Sequence, residues 1–201
     1  MAINLNTYSF DEWVKFIFDH PVSDPEWYWS EEWEYKISPS RSIRYATQLF
    51  NDPEFLLAEY TLDQIEQGFG FILSGDGNFN NILWDKSHPW ASRERCILSM
   101  VIVFKRLFAK DILQQICHMW WDLLRYFGDD PDEKVKEVML EALSEIINIE
   151  SFHCQGSALH GLGHLEHPGR AEIIDGFLAS HPEIAPELLR YAQSAREGNI
   201  L

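Results

Sequence analysis

Helix signals recur along this sequence and constrain its fold more than any other feature. Ser9 and Glu12 stand three residues apart in a capping-box pattern, Thr61 and Gln64 repeat it, and apolar residues at helical spacing follow each pair. No stretch alternates convincingly between apolar and polar residues, and no Asn-Gly pair marks a hairpin. The sequence therefore predicts an all-α fold.

The length and composition bound the number of domains. With 201 residues, of which 46% are apolar, the chain is long enough to bury its own core. We expect one all-helical domain over residues 1–201. The alternative is a subdivision into an irregular helical bundle at 1–128 and a set of helix pairs at 129–201.

The cysteines and the N-terminus indicate the compartment. Cys96, Cys117 and Cys154 form no CxxC pair and cannot all pair with one another, which is typical of buried thiols in a reducing environment. The N-terminus lacks the basic and apolar segments of a signal peptide, and the longest apolar-rich run is interrupted by charges. We therefore expect a cytoplasmic protein that does not enter a membrane.

The charge balance restricts the class of partner. The chain has 32 acidic and 16 basic residues, a formal net charge of −16. Such a field repels nucleic acid and anionic membrane surfaces and attracts basic proteins. The simpler interpretation is that the acidity serves solubility alone.

Two acidic segments are candidate binding surfaces. In the first, tryptophans are interleaved with glutamates, and together they could receive lysine or arginine side chains by cation–π and ionic contacts. The alternative is that these rings pack inward. The second is a row of glutamates spaced by four along a predicted helix, so they share a water-facing side. The candidate residues are Trp27, Trp29, Glu31, Glu32, Trp33 and Glu34 in the first segment, and Glu137, Glu141 and Glu145 in the second.

The histidine-rich stretch at residues 151–167 has the most unusual composition. In a continuous helix, His160, His164 and His167 would project from one face. Two histidines spaced by four can chelate a zinc ion, with His167 as a further ligand. Helical zinc hydrolases carry a glutamate directly after the first histidine, and Gly161 stands there instead, which argues against catalysis. In the alternative interpretation the imidazoles are structural and hydrogen-bond across helices.

Two packing expectations accompany this stretch. His118 lies in the middle of an apolar helical pattern, so we expect a hydrogen-bonded core histidine. Gly161 and Gly163 weaken a helix unless a close neighbour needs the space. We therefore expect both glycines to tolerate larger side chains poorly.

The string Ser-Ala-Leu-His-Gly-Leu-Gly-His-Leu at residues 157–165 resembles the second helix of a HEAT-like repeat. The preceding segment, 135–149, would be its partner helix, and residues 171–196 resemble a shorter pair. The resemblance implies a short α-solenoid of antiparallel helix pairs that binds proteins on a curved surface. It carries over no catalytic residue, and it places His160 and His164 at variable positions.

Together these features predict a non-catalytic, acidic protein–protein interaction module without a cofactor. An immunity- or antitoxin-type inhibitor of a basic toxin is the specific form we expect. His160 and His164 join the two acidic segments as expected partner-binding residues. The alternative is a zinc-binding protein or metal-dependent hydrolase that uses His160, His164 and His167.

Overall fold

A computed structural model describes residues 2–29, 34–74 and 79–200, and it confirms the all-α fold. Short 3₁₀ turns at Leu5–Thr7, Trp27–Trp29 and Phe108–Lys110 supplement the α-helices. The α-helices of the described ranges are α1 (Phe10–Phe18), α2 (Pro39–Asn51), α3 (Leu56–Glu59), α4 (Leu62–Leu73), α5 (Phe79–Trp84), α6 (Trp90–Arg106), α7 (Gln114–Leu123), α8 (Glu133–Ile146), α9 (Phe152–His164), α10 (Arg170–Ser180) and α11 (Pro186–Glu197).

Both capping boxes form as the sequence predicts. The backbone N–H of Ser9 donates to Glu12 Oε2 at 2.7 Å, and the N–H of Glu12 donates to Ser9 Oγ at 3.3 Å. Thr61 and Gln64 make the same reciprocal pair at 3.0 and 3.3 Å. These bonds satisfy backbone donors that have no partner within the helix, and they fix where α1 and α4 begin.

A two-stranded parallel pair lies outside the helical pattern. Strand β1 (Ala2–Asn4) pairs with β2 (Glu34–Lys36), and Ile3 stands opposite Tyr35. The sequence does not predict these strands. Three residues are too few to show a period of two, so such a strand leaves no recognisable pattern.

The core is built around Trp120 of α7. This side chain is fully buried, and the rings of Phe50, Phe69, Phe104 and Phe108 surround it at centroid distances of 5.4–5.8 Å. Aromatic pairs at these distances add to the stabilisation that burial provides. The same hydrophobic core continues into α8, α9 and α11, on the other side of the subdivision considered at residue 128.

A buried ion pair links α6 to the start of α8. Arg93 Nη1 lies 2.8 Å from Asp132 Oδ2, and both side chains are almost completely buried. Arg93 also donates to the carbonyl oxygens of Leu83 and His88, while Asp132 Oδ1 accepts the N–H of Lys134. Both members of the pair therefore make further hydrogen bonds, as a buried charge requires.

A carboxylate from another helix supports the start of α7. Leu113, just before this helix, has a left-handed backbone (φ 59°) and supplies no side-chain cap. Glu66 of α4 fills that role, because its Oε2 accepts the N–H of Ile116 at 2.7 Å. Burial raises the pKa of Glu66, although the N–H groups of Ile116 and Gln115 act against that rise.

All three cysteines are free and buried, as the sequence predicts. Cys96 lies in α6, Cys117 in α7 and Cys154 in α9. Burial raises the pKa of the Cys96 thiol to about 12. The thiols are therefore part of the core.

Helix α9 connects the last four helices. Helix α9 packs against α8, α10 and α11, and α10 packs against α11. The HEAT-like solenoid remains a prediction, because helix contacts alone do not define the curvature of a repeat array. Among the described residues, no helix has the length and apolar character needed to cross a membrane.

Candidate functional site

The glutamate row on α8 is exposed, and its two ends are engaged. Glu145 Oε2 lies 2.7 Å from Lys105 Nζ, and Glu137 Oε1 lies 3.0 Å from His167 Nε2. Glu141, between them, makes no ion pair with any described residue. Lys105 and His167 both lie outside α8, so the sequence of this helix alone does not show that two of its three glutamates are paired.

The aromatic segment divides between core and surface. Trp27 is buried and stacks on His20, with 3.7 Å between ring centroids, whereas the Trp29 side chain is 58% exposed. Trp27 therefore follows the inward-packing interpretation, and Trp29 is available to a partner. Glu34 begins β2. Glu31, Glu32 and Trp33 lie outside the described residues.

The predicted face of three histidines does not form. Helix α9 ends at His164, and Leu165 at its C-cap is extended (φ −74°, ψ 106°). His167 therefore lies beyond the helix, where its Nε2 contacts Glu137 and its Nδ1 accepts the N–H of Gly169 at 3.0 Å. Pro168 disfavours helical backbone at the residue before it, which explains why the helix does not reach His167.

Asp122 of α7 takes the place that the sequence analysis gave to His167. Its Oδ2 lies 2.8 Å from His160 Nε2, and its Oδ1 lies 3.3 Å from His164 Nε2. One carboxylate therefore bridges two imidazoles from the neighbouring helix. We call Asp122, His160 and His164 the His–Asp cluster. The sequence gives one hint of this cluster: His118 and Asp122 are four residues apart, as are His160 and His164 on α9.

His160 is the centre of the His–Asp cluster. It is 2% exposed, and its Nδ1 is hydrogen-bonded to the Tyr191 hydroxyl from α11. Burial, followed by the charge of Asp122, raises the pKa of Tyr191 to about 12, so its hydroxyl keeps its proton at neutral pH. A partner at the surface would not reach His160 directly, in contrast to its expected binding role.

His118 is not the core histidine that the sequence predicts. It is exposed at the edge of α7, with its ring centroid 4.7 Å from that of His160. Partial desolvation and the adjacent His160 lower the pKa of His118. Its neighbours in α7 do form an apolar face, but His118 itself lies on the side of the helix that lines a surface cleft.

His164 lies closer to the surface than His160. Its side chain is 13% exposed. Desolvation lowers the pKa of His164 first, and Arg125 and His160 lower it further. A neutral imidazole is the form that can accept a proton or bind a metal ion.

Two clefts border the His–Asp cluster. A cleft of about 340 Å³ includes His164, Arg125 and Trp121 in its lining, and one of about 290 Å³ includes His118 and Tyr191. The indole N–H of Trp121 is buried and has no hydrogen-bond acceptor among the described residues. The arrangement can hold helices α7, α9 and α11 together by hydrogen bonds, and its nitrogen and oxygen atoms are also of the type that binds metal ions.

No family model matches the chain, and neither a curated protein nor a solved structure matches it significantly. The HEAT-like resemblance therefore remains a prediction from residues 157–165.

Proposed function

We propose that this chain is a non-catalytic binding protein for a basic protein, in the manner of an immunity- or antitoxin-type inhibitor. The observation that supports this best is the exposed glutamate row of α8, in a chain with a net charge of −16. Electrostatic attraction of this kind speeds association with a cationic partner and disfavours anionic ones.

The contacts around the row suit a binding surface. Lys105 and His167 hold the side chains of Glu145 and Glu137, so binding would cost these residues less side-chain entropy. Glu141 lies between them without an ion pair among the described residues and is the member most available to a partner. Like charges spaced by four are mildly unfavourable within a helix, so helix stability alone does not account for the row.

The surroundings of Gly161 support the non-catalytic part of the proposal. A helical zinc hydrolase would need a general base next to the first histidine. At Gly161 the nearest neighbours of an added Cβ would be the side chains of Leu143 and Trp121. These apolar groups cannot move a proton.

The test is a comparison of partner association between charge variants. A partner is captured from native lysate and identified, and its association rate is then measured at low and high salt. We expect Glu141→Lys to slow association, and we expect added salt to slow it for the unmodified chain, as the Debye length falls from about 10 Å at 0.1 M to about 3 Å at 1 M. The control is Glu183→Lys, which makes the same charge change at an exposed loop position.

The outcomes separate the surfaces. If both lysine variants slow association equally, only net charge matters and the α8 face is not the binding surface. If association is independent of salt and of both variants, the acidity serves solubility. The contact would then be sought around Trp29.

A further inference from the structure

We propose that Asp122, His160 and His164 form a binding site for a divalent transition metal. Two imidazoles and one carboxylate are a donor set found in zinc sites and in non-haem Fe(II) centres. This site is separate from the glutamate row and goes beyond the proposed binding of a basic protein.

The positions of the donor atoms support the assignment. His160 and His164 come from successive turns of α9, Asp122 comes from α7, and one donor atom of each lies within 4.8 Å of the others. Metal–ligand bonds of about 2.0–2.1 Å in a tetrahedral zinc site place neighbouring donors about 3.3 Å apart. The 3.3 Å between His164 Nε2 and Asp122 Oδ1 already fits that distance. The 2.8 Å between His160 Nε2 and the other carboxylate oxygen, Asp122 Oδ2, is a hydrogen-bond distance, and a metal ion would replace this hydrogen bond.

Tyr191 supplies the supporting contact that a metal-binding imidazole needs. Metal-bound histidines usually donate their other ring N–H to a nearby oxygen, which fixes the tautomer and the ring orientation. The hydroxyl of Tyr191 is hydrogen-bonded to Nδ1 of His160. A hydroxyl can donate or accept, so in the tautomer of His160 that carries its proton on Nδ1 it can accept a hydrogen bond from Nδ1–H, which leaves the lone pair of Nε2 free to bind the metal.

The charge and the access to the site also fit a cation. Asp122 provides one negative charge against a divalent ion, and the surrounding chain is strongly acidic. The side chains of Asp122 and His164 are 25% and 13% exposed, so an ion can reach them from the adjoining cleft, where the positive charge of Arg125 acts against the negative charge of Asp122. His118 packs against His160 on the other side and is not one of the three donors.

The experiment is a metal titration of the full chain after treatment with a chelator. Co²⁺ serves as a spectroscopic probe, because its visible absorption reports tetrahedral coordination by nitrogen and oxygen. Zn²⁺ in competition and Fe²⁺ without oxygen distinguish the two metal classes. We expect one ion per chain, an increase in the unfolding temperature with metal, and at least a tenfold loss of affinity in His164→Gln and in Asp122→Asn.

The matched control is His167→Gln. His167 lies three residues after His164 but contacts Glu137, so this variant should bind metal like the unmodified chain. Glu141→Lys should also keep metal binding, which separates this test from that of the proposed function. Circular dichroism shows whether each variant is folded.

Two results would overturn the proposal. One is the absence of stoichiometric binding by the folded, unmodified chain. The other is equal affinity in folded His164→Gln and His167→Gln, which would mean that the bound ion lies elsewhere. In either case the His–Asp cluster is a hydrogen-bonded support for helices α7, α9 and α11.

Discussion

Two glycines of α9 offer a matched test of how closely this helix approaches its neighbours. At Gly161, an added Cβ would lie 2.7 Å from Leu143 Cδ2 and 2.7 Å from Trp121 Cγ. At Gly156, one turn and a half earlier in the same helix, an added Cβ would meet nothing within 4 Å. The two positions therefore share a helix but differ in the space around them.

The expected energies follow from these distances. Alanine is about 1 kcal/mol better than glycine inside a helix, so Gly156→Ala should raise the free energy of unfolding by up to about that amount. The contacts at Gly161 would be about 1 Å shorter than the optimum for carbon atoms. Overpacking of this kind costs about 1–3 kcal/mol, which cancels or reverses the same gain.

Urea denaturation of both variants measures the difference directly. We expect Gly161→Ala to be less stable than Gly156→Ala by about 1–3 kcal/mol, with unchanged slopes against urea. Gly163→Ala should also be less stable than Gly156→Ala, because an added Cβ would overlap Ile200 Cγ1 and lie 3.2 Å from Ile200 Cβ. Equal stability of the Gly156 and Gly161 variants would show that α9 does not pack closely on Trp121 and Leu143.

Three further predictions concern stability. Arg93→Met should lower the free energy of unfolding by about 3–5 kcal/mol in urea denaturation, because it leaves the buried Asp132 without its ionic partner. Recovery of stability in the double variant Arg93→Met/Asp132→Asn would show that the unpaired charge is the cause. Thr61→Ala should cost about 1 kcal/mol through loss of the α4 cap, whereas Thr61→Ser should cost little, and equal losses in thermal melts would contradict the capping argument. Burial raises the pKa of Glu66 above its ordinary value of 4.5, so the folded state holds this proton more tightly than the unfolded state. The free energy of unfolding should therefore fall as pH rises from 4.5 through the raised pKa of Glu66. Glu66→Gln, which cannot titrate, should not show this fall. If the two chains give parallel plots of unfolding free energy against pH, the carboxylate is not buried at the start of α7.

The features that the sequence predicted well depend on local signals. The capping boxes at Ser9 and Thr61 need only residues within one helical turn, and both form. The exposure of Glu141 follows from helical periodicity alone, and it is confirmed. The helical class follows from the same kind of information, because the helices carry apolar faces and several of them carry their own start signal.

The features that the sequence did not predict depend on contacts between helices. Asp122 joins His160 because α7 packs on α9, and nothing within either segment states that pairing. The histidine spacing predicts that His167 lies on the same helix, but α9 ends at His164. Pro168 is the local signal in the sequence that indicates this end. The apolar pattern predicts a buried His118, because periodicity identifies an apolar helix but does not show which of its positions faces a cleft.

The buried cysteines can report which helices unfold first. A thiol reagent reacts with the thiolate, and a thiol with a pKa of about 12, such as Cys96, is almost entirely protonated at neutral pH. Cys117 and Cys154 are also fully buried, so labelling of any of the three requires an opening that exposes the sulfur to water. Because the three cysteines lie in α6, α7 and α9, mass spectrometry of partly labelled chains would show the order in which these helices separate. The chain thus carries one natural probe in each of three core helices, without any engineered label.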